Sequence, residues 1–269
     1  MRFIPAPRHL SAHVLGVTVL HTTQAQAVTT PAHALGIFTL VYRGALQAGA
    51  QVASAGALLG QGSATTARGV VASPGTVAAS LLCRASILPL LSGEPASQFT
   101  DAAVPAHLVG LDAGALLDRL GPGPSDDALA SALFAQVAQA LRAARVARAS
   151  ATRFARDLAG WAQGGLCGRP EGWSERQWQR ACQAELGTTP VLLQRLHRLH
   201  ASVRGRLVHG SEPLAQHAVE AGFFDQSHMA REYRLLAGAA PRHGLASGNH
   251  TAAAMGLGAS ELAPRFFAR

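Results

Sequence analysis

Two helix stops of the same design punctuate the C-terminal half of this chain: Gly187 followed by Pro190, and Gly238 followed by Pro241. Each closes a short stretch that opens on a capping residue and carries arginine and glutamine among its polar positions. The first reads Ser174-Glu-Arg-Gln-Trp-Gln-Arg180, the second Asp225-Gln-Ser-His-Met-Ala-Arg-Glu-Tyr-Arg234. Glycine just past a helix and proline beyond it are stop signals, so the spacing predicts short helices over about 175–186 and 226–237. Between them, Thr189-Pro190 opens a longer helix that continues to about Val208. Leu192, Leu193, Leu196, Leu199, Val203 and Leu207 give it one broad apolar side. The region is therefore read as two similar helical units joined by a rod.

In the first unit Ser174 and Gln177 have the spacing of a capping box. Trp178, Ala181, Cys182 and Leu186 form the inward side, while Arg176, Gln179, Arg180 and Gln183 face out. Arginine pairs in bidentate fashion with guanine and glutamine with adenine in the major groove. Taken alone, such a helix is better explained as an ordinary amphipathic helix with a wet polar face. The second unit changes the weighing. Ser211 is expected to cap a helix with Pro213 in its first turn, and Leu214, Ala215, Ala218, Val219 and Ala221 supply a small apolar face. Gly222 makes the turn, Phe223 enters the core and Asp225 caps the next helix. Met229 and Tyr233 point inward; Gln226, Ser227, Ala230, Arg231 and Arg234 point out. Helix, glycine turn and capped polar helix make a helix-turn-helix. The rod spans roughly 28 Å at ~1.5 Å per residue, against ~34 Å between major-groove faces on one side of B-DNA.

Charge segregates in the same direction. All 23 basic side chains are arginine; residues 1–135 hold six against six acidic residues, and residues 136–269 hold seventeen against nine. The whole net charge of +8 sits in the second half, which points to a neutral module joined to one that binds a polyanion. Arg142, Arg145, Arg148, Arg153 and Arg156 continue this bias through an alanine-rich stretch, equally readable as a solvated face or a phosphate contact.

The first half reads differently. Short apolar runs at Val14–Leu20, Ile37–Tyr42, Val77–Cys83 and Ile87–Leu91, separated by Gly, Ser and Pro, predict strands of an antiparallel sheet or barrel. Arg2, Arg8, the Val14–Leu20 run and Ala25-Gln-Ala27 imitate a secretion signal, but the run is at the short limit and a strand is the better reading. Residues 111–120 look helical, Gly121-Pro-Gly-Pro124 breaks the chain, and Ser125-Asp-Asp127 starts a helix with Leu129, Leu133, Val137 and Leu141 on one stripe. Cys83, Cys167 and Cys182 have neither disulfide nor zinc spacing, consistent with a reducing cytoplasm. No run approaches the roughly 20 apolar residues of a membrane span.

Residues 173–242 resemble the C-terminal DNA-binding domain of AraC/XylS-family transcription regulators. The resemblance is carried by Ser174-Glu-Arg-Gln, Gln179-Arg180, Gly187-Thr-Thr-Pro190, Arg195, Arg198, Ala221-Gly-Phe-Phe-Asp-Gln-Ser-His228, Arg231, Tyr233 and Gly238-Ala-Ala-Pro241. It implies base contacts for Arg176, Gln179, Arg180, Gln226, Ser227 and Arg231, and phosphate contacts for Arg234, His228, Arg195 and Arg198. Two departures stand out: Leu166–Gly172 is rich in Gly and Pro where the family has an apolar helix, and Cys182 replaces a large aromatic, with Trp178 as the compensating bulk. The N-terminal segment more weakly resembles the cupin-like sensor domain of one branch of these regulators, through Leu10-Ser-Ala-His-Val14, Ile37–Tyr42 and the stretch ending Phe99-Thr-Asp101.

The expected fold class is α+β: an N-terminal antiparallel β, cupin-like domain followed by an all-α double helix-turn-helix domain. The expected boundaries are 1–124 for sensing or dimerisation, 125–163 for a helical linker, 164–243 for DNA binding and 244–269 for a poorly ordered tail. The expected function is a sequence-specific, cytoplasmic transcription regulator and not an enzyme. Its expected partners are double-stranded DNA, a second copy of the chain and RNA polymerase, with no membrane. A small-molecule effector remains open, and no cofactor or metal is identified. The alternatives are a weak or non-specific DNA-binding or partner-binding module with a degenerate first unit and, remotely, a cupin-type metal enzyme. Against the enzyme, His9, His13, His21, His33 and His107 contain no His-x-His pair, and His197 with His200 supply two ligands only.

Overall fold

Alternation in the first half resolves into two antiparallel sheets. The computed structural model describes residues 1–147, 169, 171–209 and 213–241. Six strands, β1 (Arg2–Pro5), β2 (Val14–His21), β9 (Val77–Arg84), β4 (Leu35–Arg43), β7 (Leu58–Gln61) and β10 (Ala103–Pro105), pair in that order. A second sheet has the order β3 (Gln26–Thr30), β8 (Arg68–Ala72), β5 (Ala45–Ala48) and β6 (Gln51–Ser54). Alternate residues of the central strands, Val17 and Val19, Phe38 and Leu40, Ala79, Leu81 and Cys83, enter one core, as the two-residue side-chain period requires. On the opposite face Thr39 Oγ1 and Ser80 Oγ share a hydrogen bond at 2.9 Å.

Three of the four predicted strands lie inside β2, β4 and β9. The fourth is corrected: Ile87–Leu91 belongs to a helix, α1 (Ile87–Ser92). Pro89 falls in its first turn, where no backbone donor is needed, and Ile87 and Leu88 are fully buried. A run of apolar residues this short does not distinguish a buried strand from a buried helix turn. Helix α2 (Ala113–Leu120) starts on Asp112, which accepts from Ala115 N at 3.2 Å. The break after it is held by Tyr42, whose hydroxyl donates to Gly121 O at 2.8 Å and accepts from Gly123 N at 3.0 Å.

Helix α3 (Asp126–Ala147) covers the described part of the segment expected as a helical linker. Its predicted stripe, Leu129, Leu133, Val137 and Leu141, is buried in the same core as β2, β4 and β9. Arg2 reaches Asp127 with two bonds at 3.0 and 3.1 Å, and His21 reaches Asp126 at 2.7 Å, tying the helix start to β1 and β2. The described part of this helix therefore packs into the core of the N-terminal sheets. Of the basic run beyond, Arg142 is exposed; Arg148, Arg153, Arg156 and the glycine-rich stretch to Gly168 lie outside the described residues.

The helical region comprises α4 (Glu175–Leu186), α5 (Pro190–His209), α6 (Leu214–Glu220) and α7 (Gln226–Ala237). One core joins Leu192, Leu196, Leu199 and Val203 of α5 to Phe223, Met229, Tyr233 and Leu236, and includes Ala32 of the β domain. A smaller one gathers Trp178, Cys182 and Leu186 with Ala85 of the β domain. Both helical units are thus docked on the sheet domain.

Candidate nucleic-acid interface

Helix α4 starts as its sequence dictates. Ser174 Oγ accepts from Gln177 N at 3.3 Å, and Gln177 Oε1 accepts from Ser174 N at 2.8 Å, so the capping box is complete. Trp178, Ala181, Cys182 and Leu186 are buried. Trp173 packs edge-on against Trp178 with ring centroids 6.1 Å apart, which supplies bulk beside the small Cys182. That thiol is pushed up to about 12 by burial, with Glu175 adding to the effect. The opposite face exposes Arg176, Gln179, Arg180 and Gln183. Gln179 Nε2 lies 3.4 Å from Glu175 Oε1, a long contact that leaves the amide easily redirected.

The second unit has the predicted turn: Gly222 at φ +79, Phe223 buried, and Asp225 Oδ1 accepting from His228 N at 2.6 Å. Helix α7 buries Met229, Tyr233, Leu236 and Ala237 and exposes Gln226, Ser227, Arg231 and Arg234. Two details of α6 differ from expectation. Pro213 occupies the cap position itself, and Ser211 lies outside the described residues. Val219, read as an apolar contact, is 65% exposed, while His217 turns inward. A polar network explains the exchange: Ser202 Oγ on the rod is 2.9 Å from His217 Nε2 and 2.8 Å from the Tyr233 hydroxyl. The sequence reading missed all of Ser202, His217 and their link to Tyr233, because a serine and a histidine 15 residues apart carry no local pattern.

The four residues expected at phosphate fall into two groups. Arg234 is exposed. His228 Nδ1 accepts from Phe224 N at 3.2 Å and its ring stands against Phe223, so the imidazole is also part of the turn. Arg195 holds Glu232 of α7 with two bonds at 2.8 and 2.9 Å. Arg198 donates to Gly222 O at 3.2 Å and lies 5.7 Å from the Phe223 ring centroid. Bidentate pairing and stacking are what a guanidinium does best; here both arginines brace the rod against the second unit. Phosphate contact by either would compete with these bonds.

No helix among the described residues is long and apolar enough to cross a membrane, and no group of three or more potential metal ligands occurs among them.

Residues 169–246 match a family model described as a helix-turn-helix domain. No curated protein matches the chain. Among solved structures, the chain is similar to wild-type ToxT from Vibrio cholerae strain SCE256 with unsaturated fatty acid bound. That match has 12% identity over 87% of this chain and 95% of that one, with a TM-score of 0.39. It is also similar to ToxT from Vibrio cholerae O395, at 11% identity over 85% and 96% with a TM-score of 0.36. A third likeness is to the AraC-like transcriptional activator CuxR, at 13% over 81% and 70% with a TM-score of 0.28. Two capped helices, a bracing rod and the family match together make residues 169–246 an AraC-type helix-turn-helix domain, carried behind an antiparallel β domain.

Proposed function

We propose that the protein reads a specific promoter sequence by inserting α4 and α7 into successive major-groove segments. The observation that carries this is the duplication itself. Two helices of 12 residues, each N-capped by a side chain, expose arginine and short polar groups along one side, and a 20-residue rod joins them. At ~1.5 Å per residue such a rod is about 30 Å long, close to the ~34 Å repeat of the groove. Arg176, Gln179 and Arg180 on α4, and Gln226, Ser227 and Arg231 on α7, are the base-reading set. Arg234 is the foremost phosphate contact, with His228, Arg195 and Arg198 secondary to it. The β domain serves sensing or dimerisation.

The test is selection of bound sequences from random duplex DNA by the full chain at near-physiological salt. Two enriched blocks about one helical turn apart are expected. A single block would leave α7 as the only reader. Salt-sensitive binding with no enrichment would sink specific reading and leave a phosphate-binding module. On the selected duplex, Arg231→Ala should cost ~1–3 kcal/mol and relax preference at one position. Equal weakening on every sequence would reduce Arg231 to a phosphate contact.

A further inference from the structure

Both recognition helices end against the N-terminal domain, and both ends are held by donors from that domain. Ser63 Oγ donates to Leu186 O and Thr100 Oγ1 to Gly187 O, each at 2.5 Å. Ala67 N donates to Leu235 O at 2.9 Å and Ala32 N to Leu236 O at 2.7 Å. The last carbonyls of a helix lack partners within it, and here the neighbouring domain supplies them. The two stop glycines press on the same surface. Gly187 has φ +65, and a Cβ on it would lie 2.5 Å from Thr100 Oγ1 and 2.7 Å from Ala96 O. Gly238 has φ +74, and its Cβ would lie 2.7 Å from Thr29 Cγ2. Because the grip is on the C-terminal ends, the reading faces are untouched: Arg176, Gln179, Arg180, Gln226, Ser227 and Arg231 remain exposed. The contact orients the helices without covering them.

His33 sits beside this grip. It follows Ala32, pairs with Ala64 through backbone bonds of 3.0 and 2.9 Å, and is 5% exposed. Neither ring nitrogen has a hydrogen-bond partner among the described residues. Arg68 and Asp101 face it from the β domain, and His200 faces it from the rod. A charged imidazole has no compensation there beyond Asp101, which already accepts from Thr65 and Arg68.

We infer that the N-terminal domain is an acid-releasable clamp: Ser63, Thr100, Ala32 and Ala67 fix the two recognition helices at one mutual geometry, and proton uptake by His33 opens the grip. The inference rests on the DNA-reading function only in giving that geometry a purpose. Burial first, then Arg68 and His200, lowers the closed-state pKa of His33 from 6.5 to about 4, with Asp101 opposing. An opened clamp exposes the ring and restores the ordinary value of 6.5. Between these values the open form binds more protons. The clamp is therefore at full strength above pH 6.5 and weakens by about tenfold per pH unit as pH falls through the window toward 4.

Hydrogen exchange on the full-length chain without DNA tests this. Protection of the Ala32 and Ala67 amides, corrected for intrinsic exchange rates, should fall about tenfold from pH 7.5 to 5.5, while Val17 and Val19 in β2 hold theirs. His33→Leu should abolish the fall. Unchanged seam protection in the wild type, or a fall that persists in His33→Leu, overturns the proposal. An NMR titration of the wild-type His33 ring is decisive even if that variant does not fold: a midpoint well below 6.5 is expected, and one near 6.5 overturns it. These measurements read amides and an imidazole, so failure of the clamp is separable from failure of DNA reading.

Discussion

Ser202 shows how much of the second unit hangs on one small hydroxyl. It is fully buried, and its oxygen meets both His217 Nε2 and the Tyr233 hydroxyl. Removing it takes one hydrogen bond from each of two buried polar groups, although His217 Nε2 keeps the Ser202 backbone carbonyl at 3.1 Å, and each such bond is worth ~0.5–1.5 kcal/mol. Ser202→Ala should therefore lower stability by at least about 1 kcal/mol in urea denaturation followed at the helical domain. Removing the exposed pair of Gln216 and Glu220, 2.8 Å apart, should change it little. Equal effects would mean that Ser202 is a filler and not a hub. Asp101 offers a second lesson at this scale. It takes φ +58, held there by bonds from Thr65 and Arg68. Burial raises its carboxyl, but those partners outweigh burial and leave it below the usual carboxylate range.

Helix α7 owes its start to one carboxylate. Asp225 in extended backbone accepts from His228 N at 2.6 Å, satisfying a donor that the helix cannot satisfy itself. Asp225→Ala should destabilise the unit by ~1 kcal/mol, read as a lower urea midpoint. Asp225→Asn should recover most of it. If both variants behaved alike, the carboxylate's charge at the helix N-terminus would matter more than the cap. The boundaries and inward faces of α4 and α7 were legible because caps, stop glycines and a 3.6-residue period are local signals. Ile87–Leu91 was not legible, since only its packing against the sheet decides between strand and helix. The facing of α6 was misread at Val219 because the buried polar network, and not hydropathy, turned His217 inward.

Across the whole molecule, α3 and the seam decide what is one body. Leu133 is 2% exposed in the core shared with β2, β4 and β9. Leu133→Ala should cost ~2–5 kcal/mol, visible as loss of the β domain's cooperative unfolding transition at a lower denaturant concentration. A loss below about 0.5 kcal/mol, the range of ordinary surface changes, would return the helix to the status of a linker. The amino-acid order alone settled the two capped helices, the rod, the segregation of charge and the AraC-type motif, because each is a matter of spacing within a few turns of chain. Tertiary structure decided the rest: Arg195 on Glu232, 37 residues away, Ser63 on Leu186, 123 away, and His33 buried where the domains meet. Such pairings arise when separately specified elements bury their apolar faces together, and hydrophobic burial is non-directional, so no local pattern announces which polar groups it will bring face to face.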